Sequence, residues 1–291
     1  MTPRHLNPGL PLQLSLAGLT LEGFSVSGLA TYVTVKEWRC SFDLGYCPTE
    51  VEAFDTVFLS HSHSDHAGDL NRYVGLRSMR GLSAPTIYLP EEAEDSVERF
   101  LAAHRAMNAE RPDHRPYRLV PVKAGDRFAF RSGHEIEVVP AHHRLPSVGY
   151  TAHSVRSKLL PAYAGLDGTE VAAAKKRGET VTETVRVPRL TFLGDHPDET
   201  LRKNPEVGRS DVLVAECTFG DSVSPDHARE YGHMHLEHLL DLAAEGAPAL
   251  NAPNLVLKHF SMRDTPATVR SYRDRLPENL RNRTRFLFPE E

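Results

Sequence analysis

The sequence predicts an α/β fold in which two packed β-sheets are covered by helices, an αββα sandwich. Three observations carry this. The first third is a series of short β-branched and aromatic runs separated by glycine: LTLEGF, SGLATYVTVKEW, CSFDLGY and TVFLS. Helical patterns are interleaved with strand patterns rather than segregated from them. The second half then repeats this order, with LTFLGD, DVLVAECT and NLVLKHF each reading as a buried strand that ends in a polar residue.

Taken in order, the opening runs predict an antiparallel meander that leads into a buried strand at TVFLS. APTIYLP is the next strand, and Pro90 stands where a helix would begin, with Glu91 and Glu92 in its first turn, next to the positive end of a helix dipole. In AEDSVERFLAAHRAM the positions Val97, Phe100, Leu101 and His104 recur at helical spacing, which predicts an amphipathic helix with that face inward. YRLVPV, DRFAF and HEIEVVPAHH alternate and are parted by glycine turns, so they form a second set of strands. Further helices are expected over HLEHLLDLAAEG and TPATVRSYRDRL. Between Tyr150 and Leu190 the pattern breaks down: the segment is polar, carries more Lys and Arg than Asp and Glu, and shows only short periodic runs. It reads as an insertion, 151–190, protruding from a single domain that spans 1–291, with a small helix around EVAAAKKRG.

Composition narrows the class. A chain of 291 residues can bury a substantial core, and a net charge of -5 excludes a globally basic nucleic-acid binder, so any basic surface must be local. The three cysteines, Cys40, Cys47 and Cys217, lack the paired spacing of a thiolate zinc site or a disulfide framework and are expected to be reduced, packed thiols in a cytoplasmic protein. MTPRHLNPGLPLQLSLAGL has no basic region followed by a sustained apolar stretch, and nowhere do eighteen apolar residues run together, so neither an export signal nor a membrane span is expected.

Sixteen histidines are the compositional oddity, and they cluster. In HSHSDH, His61 and His63 are two apart and face the same way if the strand end stays extended, whereas Asp65 and His66 follow after the chain turns. One loop thus supplies two pairs of metal-preferring ligands, more than one ion could use alongside a water and suited to two ions sharing an oxygen. Later strand ends offer more: VVPAHH ends in His142 and His143, LTFLGDH in Asp195 and His196, and NLVLKHF in His259. If parallel strand ends gather at one edge, His61, His63 and His143 (or its neighbour His142) hold one metal, Asp65, His66 and His259 the other, and Asp195 bridges. That arrangement keeps an open position, as hydrolytic sites do.

With these residues in hand, the chain resembles the metallo-β-lactamase-fold hydrolases, and more narrowly the plant-like short form of tRNase Z, the tRNA 3′-processing endoribonuclease. The HxHxDH loop marks the superfamily. HRLPSVGY is similar to the family's third motif, which selects His143 over His142. KLLPAYAGLDGTEVAAAKKRG resembles the protruding arm, AECTFGDSVSPDHAREYGHMH the segment with a catalytic glutamate and histidine, and KHFSMRDT the last metal motif. Three positions depart from the pattern: Ala215 replaces a histidine before Glu216, Asp264 replaces a tyrosine, and His233-Met234-His235 presents two histidines for one role.

The resemblance implies a zinc-dependent endoribonuclease that removes the 3′ trailer of precursor tRNA near the discriminator base and leaves a 3′-hydroxyl. Two zinc ions are expected, with manganese or iron compatible with the same ligands. Asp65 would orient or deprotonate the attacking water, and His233, oriented by Glu216, would protonate the leaving oxygen. Lys158, Lys175, Lys176 and Arg177 are the arm's expected phosphate contacts. The resemblance also implies a homodimer in which one subunit's arm binds the tRNA cut by the other. The competing expectations are a hydrolase of small phosphodiesters or thioesters, which keeps the metals and drops the arm's role, and a non-catalytic RNA-binding scaffold.

Overall fold

The computed structural model describes residues 6–111 and 113–289; residues 1–5 of the N-terminal stretch considered above lie outside them. The first sheet runs in chain order through β1 (Leu12–Leu16), β2 (Leu19–Ser27), β3 (Ala30–Val35), β4 (Cys40–Phe42), β5 (Thr56–Phe58), β6 (Thr86–Pro90) and β7 (Arg118–Val122). The second holds β8 (Arg127–Arg131), β9 (His134–Pro140), β10 (Val148–Leu159), β11 (Thr182–Phe192), β12 (Val212–Glu216) and β13 (Asn254–Lys258). β14 (Phe260–Ser261) crosses back to pair with β2, and β15 (Thr284–Phe286) closes the second sheet beside β13.

Alternation along the strands sorts the core into layers. Phe58, Val212, Val214 and Val256 point between the sheets, while their neighbours Val57, Leu213, Leu255 and Leu257 point outward under helices. Between the sheets, Phe42 stacks on Phe192 at 5.0 Å and on Phe58 at 5.3 Å, and Phe58 stacks on Tyr88 at 5.0 Å. The covering helices are α1 (Ser64–Ala67), α2 (Leu70–Met79) and α3 (Glu94–Met107) on the first sheet. α4 (Gly168–Lys176) lies between β10 and β11, and α5 (Asp198–Lys203), α6 (Pro225–Glu230), α7 (Leu236–Ala244), α8 (Pro266–Arg275) and α9 (Glu278–Arg281) belong to the second half. This is the αββα sandwich that the sequence predicts.

Several details differ from the sequence reading. Pro90 closes β6, and a 3-10 turn over Glu91–Ala93 precedes α3. The inward face of α3 is Val97, Leu101 and Arg105; Phe100 is 41% exposed and His104 is half-buried. The stripe shifts because Arg105 is buried against the Tyr117 hydroxyl and the Glu98 carboxylate, so a charged residue occupies the position that periodicity assigns to an apolar one. β1 and α2 had no counterpart among the expected elements. YRLVPV joins the first sheet, whereas DRFAF and HEIEVVP join the second.

The directions of the strands decide where function can sit. β11, β12 and β13 are mutually parallel, and β9 points the same way because both β9 and β11 are antiparallel to β10. The ends of β9, β11, β12 and β13 therefore share one edge. The end of β5 is tied to that edge by the Val148 N–H donating to the Ser60 carbonyl (3.0 Å) and the Tyr150 hydroxyl donating to the Leu59 carbonyl (2.7 Å).

β10 and β11 continue in the opposite direction beyond their neighbours. β9 stops pairing at Ser154 and β12 at Leu190, but β10 and β11 pair on to Leu159↔Thr182. This two-stranded ribbon carries a 3-10 turn (Pro161–Tyr163) and α4 at its tip, so the segment without a pattern is largely a hairpin with a helix on it. An Asp167–Glu170 capping box starts α4, and the Tyr163 hydroxyl donates to Glu179 at 2.8 Å across its far end.

Candidate metal centre

Four strand ends and one loop converge. After β5 the chain stays extended through His63 and turns into α1 at Ser64, so His61 and His63 lie on one leg and Asp65 and His66 on the other. Gly45 permits this turn to pack: a Cβ there would lie 1.9 Å from the Asp65 carbonyl oxygen. His143 follows β9, Asp195 follows β11, Glu216 ends β12 and His259 follows β13.

The donor atoms form interlocking groups: His61, His63, His143 and Asp195; Asp65, His66 and His259; and Asp195, Glu216, His233 and His259. His61 Nε2 lies 3.0 Å from His63 Nδ1, which lies 3.3 Å from His143 Nε2. His66 Nε2 lies 3.2 Å from His259 Nε2. Asp195 Oδ2 stands between the two sets, 3.7 Å from His61 Nε2, 3.2 Å from His66 Nε2 and 3.4 Å from His259 Nε2.

The second nitrogen of most rings is already committed, which fixes what the inner nitrogens can be. His143 Nδ1 donates to the Gly232 carbonyl (3.0 Å), His66 Nδ1 to Asp43 Oδ2 (2.7 Å), and His259 Nδ1 to the Thr218 hydroxyl oxygen (2.9 Å). His61 Nδ1 donates to Ser60 Oγ (3.0 Å), whose own proton goes to Asp43 Oδ2 (2.9 Å). With the rings neutral, the inner nitrogens of His61, His66, His143 and His259 are lone pairs that face other ring nitrogens at 3.0–3.3 Å, an arrangement that repels unless a cation lies between. The donor set therefore fits divalent metal ions, imidazole and carboxylate being what zinc takes.

Asp43, Ser60, Thr218, Gly232 and Lys258 are the positions that the sequence reading missed. Asp43 holds the first loop from beneath, its carboxylate accepting from the Ser60 N–H, the Ser60 hydroxyl and His66. Gly232 has a φ of +77°, and a Cβ would lie 2.8 Å from His143 Nδ1, so only glycine lets this carbonyl approach the ring. The wholly buried Lys258 ammonium reaches the Gly194 carbonyl (3.3 Å) and stands 3.7 Å from Asp195 Oδ1. The one available signal was positional: Lys258 ends β13 directly before His259, whereas Asp43 follows β4 far from any histidine motif in the sequence.

Electrostatics follow the burial. Burial pushes the rings of His61, His63, His143 and His259 below the usual histidine range. Burial would do the same to His66, but Asp195 and Asp43 outweigh it and lift that ring to about 10. The field that holds a proton on His66 Nε2 is the field that attracts a metal ion there, and the two compete for one lone pair. Against the opposing effect of burial, His259 and His66 keep the Asp65 and Asp195 carboxylates well below the usual range.

On the edge of the centre, Glu216 Oε1 accepts from the His196 N–H (2.7 Å) and meets His233 Nδ1 at 2.9 Å; its Oε2 accepts from the N–H groups of Thr218 and Met234 and from the Thr218 hydroxyl. Burial lowers His233, but Glu216 outweighs it and raises the ring to about 9. The neighbouring histidine is committed elsewhere, since His235 caps α7, its Nδ1 accepting from the Glu237 N–H (3.0 Å) in a box with His238. His142 belongs to no donor group among the described residues; its backbone N–H donates to Thr200 Oγ1. Ala215 is packed in the core.

Lys158, Lys175, Lys176 and Arg177 lie apart from this centre on the ribbon and α4, all exposed. Arg177 is paired with Glu179 at 2.7 Å; the three lysines form no ion pair among the described residues.

The Beta-lactamase superfamily domain model matches residues 41–260. The chain is 34% identical over 253 residues to the chloroplastic tRNase Z TRZ2 of Arabidopsis thaliana, covering 86% of this chain and 70% of the relative. It is 32% identical over 273 residues to tRNase Z TRZ1 of the same plant, covering 93% and 95%. The crystal structure of human tRNase Z, short form, superposes with a TM-score of 0.55 at 18% identity, covering 82% of this chain and 90% of that one, a likeness of fold.

Proposed function

The chain belongs to the tRNase Z family of the beta-lactamase superfamily, and on that premise we propose that it is a metal-dependent endoribonuclease removing the 3′ trailer from precursor tRNA. The observation that carries the chemistry is the shared Asp195 Oδ2 between two groups of bare imidazole nitrogens, with the Glu216–His233 pair on their edge. His61, His63 and His143 would hold one ion, Asp65, His66 and His259 the other, with Asp195 between them; two zinc ions suit these ligands, and manganese or iron is compatible. Metal bound there would lower the pKa of a water and neutralise charge on the phosphoryl oxygens.

The protein's own groups do the rest. The Gly28 N–H donates to Asp65 Oδ2 at 2.7 Å, fixing a carboxylate placed to orient the attacking water and take its proton. Glu216 holds His233 by Nδ1 and favours its cationic form, so the Nε2–H is the proton available to the departing 3′ oxygen. This leaves a 3′-hydroxyl on the tRNA.

The arm is part of the proposal. β10 and β11 carry Lys158, Lys175, Lys176 and Arg177 away from the edge where the metals would sit, and at ~3.3 Å per residue the twelve residues of β10 span ~40 Å. An arm aimed away from its own centre supports a homodimer in which each subunit's arm grips the tRNA cut by the other. A cytoplasmic location belongs to the same reading, supported by three buried cysteines without disulfides; no helix among the described residues is long and apolar enough to cross a membrane. Zinc-loaded protein incubated with a trailer-bearing precursor tRNA should cut once near the discriminator base, with mapped ends. An uncut precursor in the presence of confirmed metal would refute this function, and efficient turnover of small phosphodiesters or thioesters alone would favour the narrower hydrolase.

A further inference from the structure

Beside His233 the rim of the centre carries flat side chains that the chemistry above does not use. Phe219 meets the His233 ring edge-on at 5.6 Å between centroids, and His227 lies 6.2 Å from Phe219. Tyr231 lies 4.5 Å from His227 at an interplanar angle of 38°. The Arg144 guanidinium sits over the Tyr231 ring, with Cζ 5.3 Å from its centroid. The sequence accounts for this series: His227 and Tyr231 are four residues apart across α6 and its C-cap, and so share a face. Arg144 directly follows His143 and packs on Gly232, its Cγ 3.4 Å from where a Cβ would stand.

Two properties turn this ladder outward. Tyr231 is 42% exposed, and among the described residues Phe100, on the helix that covers the first sheet, is the other exposed aromatic ring among the large apolar side chains. Arg144 is also exposed and forms no ion pair among the described residues, whereas Arg186, Arg202, Arg209 and Arg229 each hold a carboxylate. In a chain of net charge -5, an uncommitted cation at the mouth of the site is where a polyanion is received. Rings in series with such a cation are the usual platform for unpaired bases.

We propose that His227, Tyr231 and Arg144 form a stacking subsite for an unpaired base of the RNA strand beside the bond that is cut, with Arg144 also contacting that nucleotide's phosphate. The subsite deepens the endoribonuclease reading and rests on it. Because the ladder begins at His233, the stacked base lies within about two nucleotides of the cut.

The test is a cycle between enzyme and substrate. Tyr231→Leu and Arg144→Ala are assayed on precursor tRNA and on precursors made abasic at each of the two nucleotides on either side of the cut, with metal content checked for every variant. Each variant should keep the wild-type metal content and lose about 5- to 100-fold in kcat/KM. At one position the abasic precursor should cost the wild type a similar factor and cost Tyr231→Leu nothing more. A single-stranded RNA with 2-aminopurine at that position should be quenched by the wild type and not by Tyr231→Leu. Additive losses at all four positions, or equal quenching by both proteins, overturn the subsite. Uncut precursor tRNA with the quenching difference intact would instead sink the reaction and leave the subsite standing.

Discussion

Thr218 gives the sharpest test of how the metal centre is held. Its side chain, fully buried, passes its proton to Glu216 Oε2 while its oxygen accepts from His259 Nδ1 at 2.9 Å and lies 3.3 Å from His233 Nδ1. One hydroxyl thus keeps the His259 proton on Nδ1, and with it the lone pair on Nε2. Thr218→Val preserves the shape and removes the hydroxyl. Glu216 retains three backbone N–H donors, but His259 Nδ1–H loses its acceptor in a site that water does not reach. An unpaired buried donor costs about 1–3 kcal/mol, and outer partners of metal-ligating histidines are typically worth about 10–100-fold in affinity. The variant should therefore need about 10–100-fold more zinc for half-saturation, read by calorimetric titration of the apoprotein and by activity against free zinc. Thr218→Ser should restore wild-type behaviour. A valine variant with unchanged zinc affinity would show that the tautomer of His259 is set by something else.

Other changes separate roles that lie close in sequence. His233→Ala should lower turnover on precursor tRNA by about 10²–10⁴-fold while retaining the wild-type metal content, whereas His235→Ala should cost about 1–2 kcal/mol of stability through the lost α7 cap and leave turnover within a few-fold. Asp264 is buried with the Tyr272 hydroxyl as its hydrogen-bond donor, and burial, reinforced by Asp221, lifts its carboxyl to about 6. A carboxyl raised on folding binds more protons in the native state, so stability is lost as pH rises from about 4 to about 6. Asp264→Asn should stabilise the protein by up to about 3 kcal/mol at pH 8, with the gain shrinking toward pH 4 in denaturant titrations. Replacing Lys175, Lys176 and Arg177 together should weaken precursor tRNA cleavage and its salt dependence, while hydrolysis of bis(p-nitrophenyl) phosphate is spared.

What could be read from the sequence followed from how much of each element faces the core. The strands of the sandwich were legible because one or both of their faces are apolar, as in DVLVAECT. β1 does alternate, with Leu12, Leu14 and Leu16 turned to the core, but it is only five residues at a sheet edge in a stretch rich in leucine and glycine; the outer parts of β10 and β11 are largely exposed and carry no continuous apolar stripe. α2 hides a charge: Arg77 is buried and donates to the backbone carbonyls of Glu52, Phe54 and Ser83, a job that hydropathy scores as surface. At the centre, the histidines and aspartates announced themselves by type and spacing. Thr218 and Ser60 did not, because a hydroxyl that steers a ring looks like any other serine or threonine until the ring is placed beside it.

His259 occupies an unusual joint. It is the one residue between β13 of the second sheet and β14, which pairs in the first, and it makes the crossing with a φ of 65°. His61, His63, Asp65 and His66 hang from the first sheet, and His143 and Asp195 from the second. Ions held among them would rivet the two halves of the sandwich together, in a chain whose three cysteines form no such cross-link. Loss of such ions would then loosen the seam between the sheets as well as stopping the proposed chemistry, so a catalytic metal here would double as the protein's staple.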